Sequence, residues 1–264
     1  MTGLLATCRW RHHHLDWKEP LDLLGEQPYL VAESGPVFVG CMACPEGPPG
    51  VAWIRVLCIA LGVDPLPVWE ALWEHAADSL ELVQIRHAAS LVSGAWQRPL
   101  LETSGFHETN AVIFYERSMR RLPPIHPGPA SQRRLEVHDL PDVSALDRQA
   151  FGKLWRVSPP TLAIAYRQAA DATVAVVDGR IVGYQLTTLS PLGAHLARLA
   201  VGPRWQGQGI GSALVAGMLH RLQERGTTRV TLNTQVDNLA SQKLYERLGF
   251  RRNGETLAVM ERTW

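Results

Sequence analysis

The sequence predicts a mixed α/β fold of the α+β class, built as two similar lobes in tandem. Three observations support this prediction. Blocks from the first half of the chain recur in the same order in the second half. A segment rich in proline and glycine lies between the copies. The second copy reads as strands followed by a strand–helix–strand–helix–strand unit, which is typical of a sheet flanked by helices.

The internal repeat consists of three pairs of similar blocks at a nearly constant offset. The pairs are, in order, Tyr29–Gly40 with Thr173–Gly183, Trp53–Cys58 with Leu196–Val201, and Leu100–Arg117 with Leu244–Arg262. The alignment places Arg55 opposite Arg198, and the Gly105-Phe106 pair opposite Gly249-Phe250. A period of about half the chain indicates a duplicated domain rather than a solenoid of short repeats.

The boundary between the lobes is predicted from proline content. The stretch Leu122–Arg134 reads LPPIHPGPASQRR and holds four prolines and one glycine. Proline fixes φ and removes a backbone donor, so this stretch is unsuited to a long helix or strand. We predict a first lobe at residues 1–121, a linker at 122–133 and a second lobe at 134–264.

The second lobe is the more complete copy. Its apolar periodicity and its turn residues predict a strand at 134–137, helices at 142–151 and 161–170, strands at 173–178, 181–188 and 194–201, a helix at 212–225, a strand at 230–234, a helix at 240–248 and a strand-like tail from 250. The Asp178-Gly179 turn closes the first pair of these strands into a hairpin. Gly226 and Gly249 follow the last two helices as expected helix-ending residues.

Charge and hydropathy argue against several classes of protein. The chain has 26 Lys and Arg residues against 25 Asp and Glu residues. Nucleic-acid binders and binders of anionic membranes need a strongly basic surface, so we expect neither kind of partner. The sequence contains no run of about 18 apolar residues and no signal-peptide pattern at its N-terminus. All four cysteines lie in the first quarter of the chain, and we expect a cytoplasmic protein.

A glycine-rich loop lies between the strand ending at Val201 and the helix starting near Ser212. Gly207, Gly209 and Gly211 stand at alternate positions in the sequence RWQGQGIGSAL. A helix N-terminus exposes unpaired N–H groups and the positive end of the helix dipole, so this junction suits a phosphate. A dinucleotide motif fits poorly, because the third glycine comes one position early, and a nucleoside-triphosphate loop would need a lysine. A glycine-rich turn that only packs the helix onto the sheet is the remaining alternative.

Two motifs together resemble the GNAT superfamily of acyl-CoA-dependent N-acyltransferases. The first is Gln206-x-x-Gly209-x-Gly211, preceded by LAVGPRW, and the second is NLASQKLYERLGF from Asn238 to Phe250. The resemblance covers most of residues 134–264, and the repeat makes the first lobe resemble a degenerate second copy. It implies two tandem GNAT-like lobes, each with a central, mostly antiparallel sheet flanked by helices, and with splayed strands at the acyl-CoA site.

The resemblance also implies acetyl-CoA, or another acyl-CoA, as co-substrate, with no metal. Its pyrophosphate would lie on the backbone N–H groups of the loop, with Ser212 just inside the helix. The loop residues are Gln206, Gly207, Gln208, Gly209, Ile210 and Gly211. The pantetheine arm would pair with the strand edge of Leu199 and Val201, between the strands that end at Val201 and Thr234. Asn238 matches the asparagine that fixes this arm.

The reaction implied by the resemblance is direct attack of a primary amine on the thioester in a ternary complex. Tyr245 matches the general acid, although an aromatic residue at helical spacing also suits a core position. His195 is the candidate base, because histidine titrates near neutral pH and Asn233, at the other candidate position, takes up no proton. A water chain without a dedicated base is the alternative.

The acceptor is expected to be an amine-bearing small molecule or peptide, and the sequence leaves the oligomeric state open. In the family the acceptor meets the segment between the first two helices. Trp155 and Arg156 would supply an apolar wall and a partner for a carboxylate there, unless Trp155 only packs. The alternative function is a non-catalytic acyl-CoA-binding or regulatory module, which would not need Tyr245.

The first lobe has lost the residues that carry this chemistry. At the loop position it reads GVDPLPVW, where Asp64 would repel a phosphate and Pro65 and Pro67 have no N–H. Leu101 stands at the tyrosine position. The pair Cys41-x-x-Cys44 would fit zinc only with two further ligands, from Cys8 and one of His12, His13 or His14, and we expect buried thiols instead. The HHH run is expected to be an exposed loop.

Overall fold

The computed structural model of the protein describes residues 2–126 and 128–264. The chain divides into two compact units. The first unit combines the residues up to Ala111 with Leu257–Trp264, and the second unit comprises Val112–Thr256. Among the described residues, no helix is long and apolar enough to cross a membrane.

The first unit contains two groups of strands. The elements in this part of the chain are α1 (Thr2–Thr7), β1 (Trp10–His13), β2 (Tyr29–Ser34), β3 (Val37–Ala43), β4 (Ala52–Trp53), β5 (Val56–Ile59), α2 (Pro65–Leu82), β6 (His87–Leu91), α3 (Gln97–Thr103) and β7 (His107–Ser118). An antiparallel sheet has the order β1-β5-β3-β2. Strand β4 continues into β5 along the chain but pairs in parallel with β6. Trp69 and Trp73 of α2 are buried, and both ring systems contact Phe106.

The second unit contains a larger mixed sheet. Its elements are β8 (Ser131–Arg134), α4 (Leu140–Ala150), α5 (Pro159–Gln168), β9 (Asp171–Val177), β10 (Arg180–Ser190), β11 (Gly193–Val201), α6 (Ile210–Glu224), β12 (Arg229–Gln235), α7 (Leu239–Arg247) and β13 (Arg251–Thr263). The strand order is β7-β12-β11-β10-β9-β8. Only the β11–β12 pair in this series is parallel. The predicted mixed α/β fold with helices flanking mostly antiparallel sheets is confirmed.

Helix α6 packs on the sheet of the second unit because one of its faces is apolar. Leu214, Val215, Met218, Leu219 and Leu222 recur at helical spacing, and all five are buried. The last four of them meet residues of β11 and β12 in one hydrophobic cluster, while Leu214 packs with Ala175 of β9 and Val182 of β10 in another. The N-terminus of α6 is thereby held at the end of β11.

A glycine in each unit permits close approach of a helix to a sheet. A Cβ atom on Gly183 of β10 would lie 3.3 Å from the side chain of Ile210 at the start of α6. A Cβ atom on Gly40 of β3 would lie 2.4 Å from the side chain of Val68 in α2. The two units therefore share a local packing arrangement as well as the order of their elements.

Two long strands are each divided between the units. Strand β7 pairs with β12 through residues 112–118 in the second unit, and β13 pairs with β6 through residues 259–263 in the first unit. The limits of the compact units consequently differ from the predicted lobe limits, 1–121 and 134–264. The duplication and its limits stay a prediction.

The predicted linker is irregular at its start and ordered at its end. Residues 122–126 form no helix or strand, Pro127 lies outside the described residues, and β8 already begins at Ser131. The strand expected at 134–137 is therefore misplaced by three residues. The physical reason is a capping box, in which Glu136 and Asp139 cap a short 3-10 helix at Val137–Asp139 and turn the chain out of the strand.

Candidate active site

Strands β11 and β12 separate near their carboxyl ends. They pair in parallel only over Ala194–Leu196 and Val230–Leu232. Strand β11 also carries a bulge at Ala197, because Leu186 of β10 lies opposite Arg198 and the next residue, Thr187, lies opposite Leu196. In the described part of the chain, no strand pairs with Leu199 or Val201 on the side facing β12. The strands splay as predicted from the resemblance, and both predicted edge residues lie on the open side of the sheet.

The three glycines of the loop serve two different purposes. Gly207 and Gly209 have φ values of 77° and 83°, which L side chains rarely adopt, and a Cβ atom on either would meet nothing within 4 Å. Gly211 is needed for packing instead, since a Cβ atom there would lie 2.9 Å from the side chain of Leu244 in α7. The turn thus presents bare backbone to the outside and brings α6 close to α7.

The N-terminus of α6 leaves backbone donors available. Its first helical hydrogen bond runs from the Ala213 N–H to the Gly209 carbonyl, so Ile210, Gly211 and Ser212 have no acceptor within the helix. The side chains before the helix fold back onto the loop: Gln206 Nε2 donates to the Val201 carbonyl and Gln208 Nε2 to the Arg204 carbonyl, each at 3.1 Å. This arrangement fits a diphosphate, because it offers N–H groups and a helix dipole without a competing carboxylate.

Asn238 begins helix α7. Its side-chain oxygen accepts a hydrogen bond from the Ser241 N–H at 3.2 Å, so the residue is the N-cap of the helix. The amide NH2 group is the part of Asn238 left to donate. Its predicted contact with the pantetheine arm stays a prediction.

Tyr245 lies on the buried face of α7. Its side chain is 6% exposed, and its ring centroid lies 6.2 Å from that of Tyr115 and 6.0 Å from that of Phe250. Burial raises the pKa of Tyr245, and a hydrogen bond with Ser241 partly offsets that rise. The ring is therefore part of the core, while the hydroxyl holds its proton at neutral pH.

His195 lies on β11 one residue before the strands separate. Its Nδ1 atom is 2.9 Å from the Thr231 hydroxyl, which is 3.4 Å from the Ala194 carbonyl oxygen. The hydroxyl donates to that carbonyl, so we assign the ring proton to Nδ1 and the free lone pair to Nε2. Burial lowers the pKa of His195, which keeps the ring neutral at neutral pH.

A buried ion pair next to the splay was not singled out by the sequence. Asp147 of α4 is fully buried, and Arg198 donates to it from Nε and Nη2 at 2.8 Å each. The Tyr184 hydroxyl donates to the same carboxylate at 2.5 Å. Arg198 Nη2 also donates to the Trp155 carbonyl at 2.8 Å, so the pair ties the α4–α5 segment to β11. A signal for this pair was present in the sequence, because the internal repeat places Arg55 opposite Arg198.

Trp155 and Arg156 lie in the segment between α4 and α5, as predicted. Arg156 Nε donates to the Phe151 carbonyl at 3.1 Å. Its side chain lines a cavity of about 670 Å³ that is also lined by Pro203 and Arg204, which lead into the glycine loop. The structure thus brings Arg156 near the start of the loop, whereas Trp155 contributes its backbone carbonyl to the Arg198 network.

The equivalent place in the first unit is filled by the chain itself. Strand β5 pairs with β3 on one side and with β1 on the other, over Trp10–His13. His12 is 1% exposed and its Nε2 donates to the Ile54 carbonyl at 3.0 Å. The expectation of an exposed HHH loop is wrong, because these residues complete the sheet. At the start of α2, the Asp64 side chain accepts from the Leu66 N–H and occupies the helix N-terminus.

The cysteines are thiols, and Cys41, Cys44 and Cys58 are buried. Cys41 of β3 lies directly opposite Cys58 of β5 rather than beside Cys44. Burial raises the pKa of Cys44, which disfavours the thiolate that zinc requires. Within residues 2–126 and 128–264, no three His, Cys, Asp or Glu side chains converge as a metal site would need.

Comparison with known proteins agrees with this geometry. A family model described as the acetyltransferase (GNAT) family matches residues 140–250. The [ribosomal protein bS18]-alanine N-acetyltransferase of Escherichia coli K12 is 30% identical over 116 residues, which are 44% of this chain and 77% of that protein.

Two solved structures share the fold over most of the chain. A tandem GNAT protein from the clavulanic acid biosynthesis pathway has a TM-score of 0.63 at 20% identity, covering 90% of this chain and 84% of that one. A GCN5-related N-acetyltransferase from Sphaerobacter thermophilus has a TM-score of 0.64 at 15% identity, covering 86% and 77%. The tandem GNAT structure shares the fold of this chain. Because the relative from Escherichia coli is 30% identical and is matched over 77% of its length, the chain belongs to the GNAT family of N-acetyltransferases.

Proposed function

We propose that this protein transfers the acetyl group of acetyl-CoA to a primary amine by direct attack in a ternary complex. The observation that carries the proposal is the open strand edge of β11 beside a glycine turn with bare backbone donors. Both features belong to the second unit. We propose that this unit alone holds the acyl-CoA.

In this proposal, different residues of the second unit bind different parts of acetyl-CoA. The N–H groups from Gln206 to Gly211, with Ser212, would hold the diphosphate. The backbone of Leu199 and Val201 would pair with the pantetheine amides, as an additional strand would. The Asn238 amide would hold the arm near α7. Acetyl-CoA supplies an acetyl thioester, a carbonyl that a neutral amine attacks.

Tyr245 is the proposed general acid. Its hydroxyl is protonated at neutral pH, since an unperturbed phenol has a pKa of roughly 10 and burial raises the pKa of Tyr245 further. An unperturbed phenol is close in basicity to a departing thiolate and can protonate it; the raised pKa makes Tyr245 a weaker acid than that reference. A backbone N–H of the splayed β11 would stabilise the developing oxyanion.

His195 is the proposed general base. Its lowered pKa keeps the ring unprotonated at neutral pH, and its Nδ1 is engaged with Thr231. The lone pair of Nε2 is therefore available to take a proton from the ammonium form of the acceptor, directly or through a water, which leaves the neutral amine that attacks the thioester. A water chain alone is the competing account, and a His195→Gln variant with unchanged turnover would favour it.

The acceptor is proposed to be a peptide or small molecule with a free amine. The relative from Escherichia coli is named for an alanine of a ribosomal protein, which supports a peptide amine as the first acceptor to test. Trp155 and Arg156 are proposed to face it, Arg156 as the partner for a carboxylate.

The test is CoA release by the full chain with acetyl-CoA and a panel of amines, including a peptide that begins with alanine. Tyr245→Phe is expected to lower turnover by about 10²-fold or more while the affinity for CoA changes little. Tyr115→Phe, which removes a neighbouring phenol, is the matched control and should keep its turnover. CoA binding without turnover of any amine would instead support a non-catalytic acyl-CoA-binding or regulatory module.

A further inference from the structure

A second cavity in the second unit is strongly basic. It has a volume of about 520 Å³. The charged side chains that line it are Arg133, Arg134, Arg167, Arg221, Arg225 and Asp171. They come from β8, the end of α5, the first residue of β9 and the last turns of α6, so four separate elements converge on one concavity.

This cavity is separate from the glycine turn. Arg221 lies eleven positions after Ile210, the first residue of α6. At 1.5 Å per residue, the two ends of the helix are roughly 16 Å apart. An acyl-CoA diphosphate on the loop would therefore leave the basic cavity open.

The positive charge of the cavity is only partly neutralised. Asp171 accepts two hydrogen bonds from Arg221, at 2.8 and 2.9 Å, and Asp139 pairs with Arg133 at 2.6 Å. Among the described residues, Arg134 and Arg167 have no carboxylate within ion-pair distance. Arg225 also approaches Asp171, at 3.7 Å. Four of the five arginines are exposed and Arg221 is half-buried, so an excess of positive charge surrounds a concavity that is open to solvent.

A buried polar network supports the cavity from below. Asp171 and Thr173 are 4% and 6% exposed, and Gln185 and Thr187 are fully buried. Gln185 Nε2 donates to Asp171 at 2.5 Å, and the Thr187 hydroxyl donates to Gln185 Oε1 at 2.7 Å. Burying four polar side chains under a helix is costly unless every group is paired. Here the network fixes the carboxylate that orients Arg221 toward the cavity.

We propose that this cavity binds a small anion carrying two or more phosphate groups. The arginine fork matches phosphate oxygens in pairs, and the cavity volume lies in the usual range for small-ligand sites. Tyr166, which is half-buried, also lines the cavity. The arginines converge on one concavity instead of following a track, which favours a small molecule over a nucleic-acid backbone.

Calorimetry on the full chain with inorganic pyrophosphate, ATP and citrate tests the proposal. Pyrophosphate also suits the glycine turn, so CoA is kept in excess throughout. Pyrophosphate and ATP are expected to bind with 1:1 stoichiometry, and about tenfold more tightly than citrate. The Arg134→Ala/Arg167→Ala double variant should lose about tenfold or more in affinity for both phosphates.

The matched control is the Arg86→Ala/Arg98→Ala double variant, which removes the same charge from exposed ion pairs of the first unit. It should bind pyrophosphate as the parent does. Absence of pyrophosphate binding, an equal loss in the control, or tighter binding of a single-stranded oligonucleotide would each overturn the proposal. Failure of acetyl transfer with every amine would not affect it, because the readout is binding in the presence of CoA.

Discussion

The two units differ in whether the edge of a central strand is open or covered. In the second unit, β11 leaves β12 after Leu196 and keeps an open edge. In the first unit, the chain leaves β6 after β4, and the edge of β5 is covered by β1. An unpaired strand edge inside a protein has backbone groups that need partners. In the first unit, strand β1 satisfies the edge of β5 with the protein's own backbone.

The helix N-termini show the same contrast. Helix α6 begins after Gly209 with bare donors, whereas α2 begins after Asp64, whose carboxylate caps its own helix. Pro65 at the first position of α2 has no N–H to offer. The first turn of α6 thus keeps donors that its own N-cap leaves unpaired, whereas α2 is capped by its own side chain.

Both units keep a buried arginine at the start of the diverging strand. Arg198 pairs with Asp147, and Arg55 pairs with Asp16 across similarly low exposures. Burial lowers the pKa of Arg55 to about 10, so it stays charged at neutral pH. Since the unit without an open edge retains this pair, the comparison indicates a structural role: each arginine anchors an irregular segment to the sheet.

The largest expected effect comes from breaking this shared pair. Asp147→Ala leaves Arg198 buried without a counter-charge and should lower the free energy of unfolding by about 3–5 kcal/mol. Asp16→Ala should cost a similar amount in the first unit. Denaturant unfolding of both variants measures these losses. A variant with nearly the free energy of unfolding of the parent would contradict the same structural role for the two arginines.

A slightly smaller effect on stability is expected from protonation of His12, which is buried in β1 of the first unit. Burial lowers the pKa of His12 to about 4, below its ordinary 6.5. The unfolded chain therefore binds a proton that the folded chain rejects, and stability falls as the pH drops from 6.5 to 4. The loss approaches about 3 kcal/mol at the acid end.

His12→Gln should reduce this pH dependence in unfolding measurements between pH 4 and 7. Burial also lowers the pKa of His14 and His195, so part of the slope is expected to persist. His75→Gln, at an exposed position of α2, is the control and should leave the slope unchanged. An identical slope in the His12 variant would mean that β1 does not bury this ring.

The loop comparison is sharpened by exchanging residues between the units. Gly209→Asp places in the second unit the carboxylate that caps α2 in the first, at a φ of 83°. Affinity for CoA should fall by about 100-fold, or about 2.7 kcal/mol, through charge repulsion and backbone strain. Gly35→Asp, at another glycine with positive φ, is the control and should bind CoA normally.

The reverse exchange should not create a CoA site in the first unit. Asp64→Gly removes the capping carboxylate of the first unit, but β1 still covers the edge of β5. Calorimetry should find one CoA per chain in the parent and in this variant. Two CoA molecules per chain would contradict the contrast between the units.

The smallest losses of stability are expected at the two packing glycines. Gly183→Ala and Gly40→Ala each force a methyl group toward a helix side chain, with approaches of 3.3 Å to α6 and 2.4 Å to α2. Both should destabilise the protein by about 1–3 kcal/mol, with the greater loss at Gly40. Thermal unfolding of the two variants measures the difference between their losses of stability. Equal losses would contradict the expectation of a greater loss at Gly40.

Prediction from sequence succeeded where the determinants are local. The helix after the glycine loop, the hairpin around Asp178-Gly179 and the helix ending at Gly249 lie within about two residues of their expected bounds. The expectation of buried thiols is met at Cys41, Cys44 and Cys58. Each helix and turn prediction depends on a few neighbouring residues whose backbone preferences are strong. The binding roles of the loop residues and of Asn238 stay predictions.

Prediction failed where residues far apart in the chain decide the outcome. The HHH run pairs with β5, more than forty positions away. The Asp147–Arg198 pair joins α4 to β11. In both cases a polar group gains a partner that local pattern does not reveal. The early end of β8 is a different error, because the capping box of Glu136 and Asp139 is a local pattern that the prediction did not use.

The sequence by itself determined the family, the mixed α/β class and the turn that can seat a phosphate, because these follow from contiguous motifs and backbone geometry. Only the tertiary structure decided which strand edge stays open and which is covered by β1. It also decided that β7 and β13 are each divided between the units. The reason is physical: strand pairing and burial of charge are satisfied across the sheet, between residues that the chain order separates.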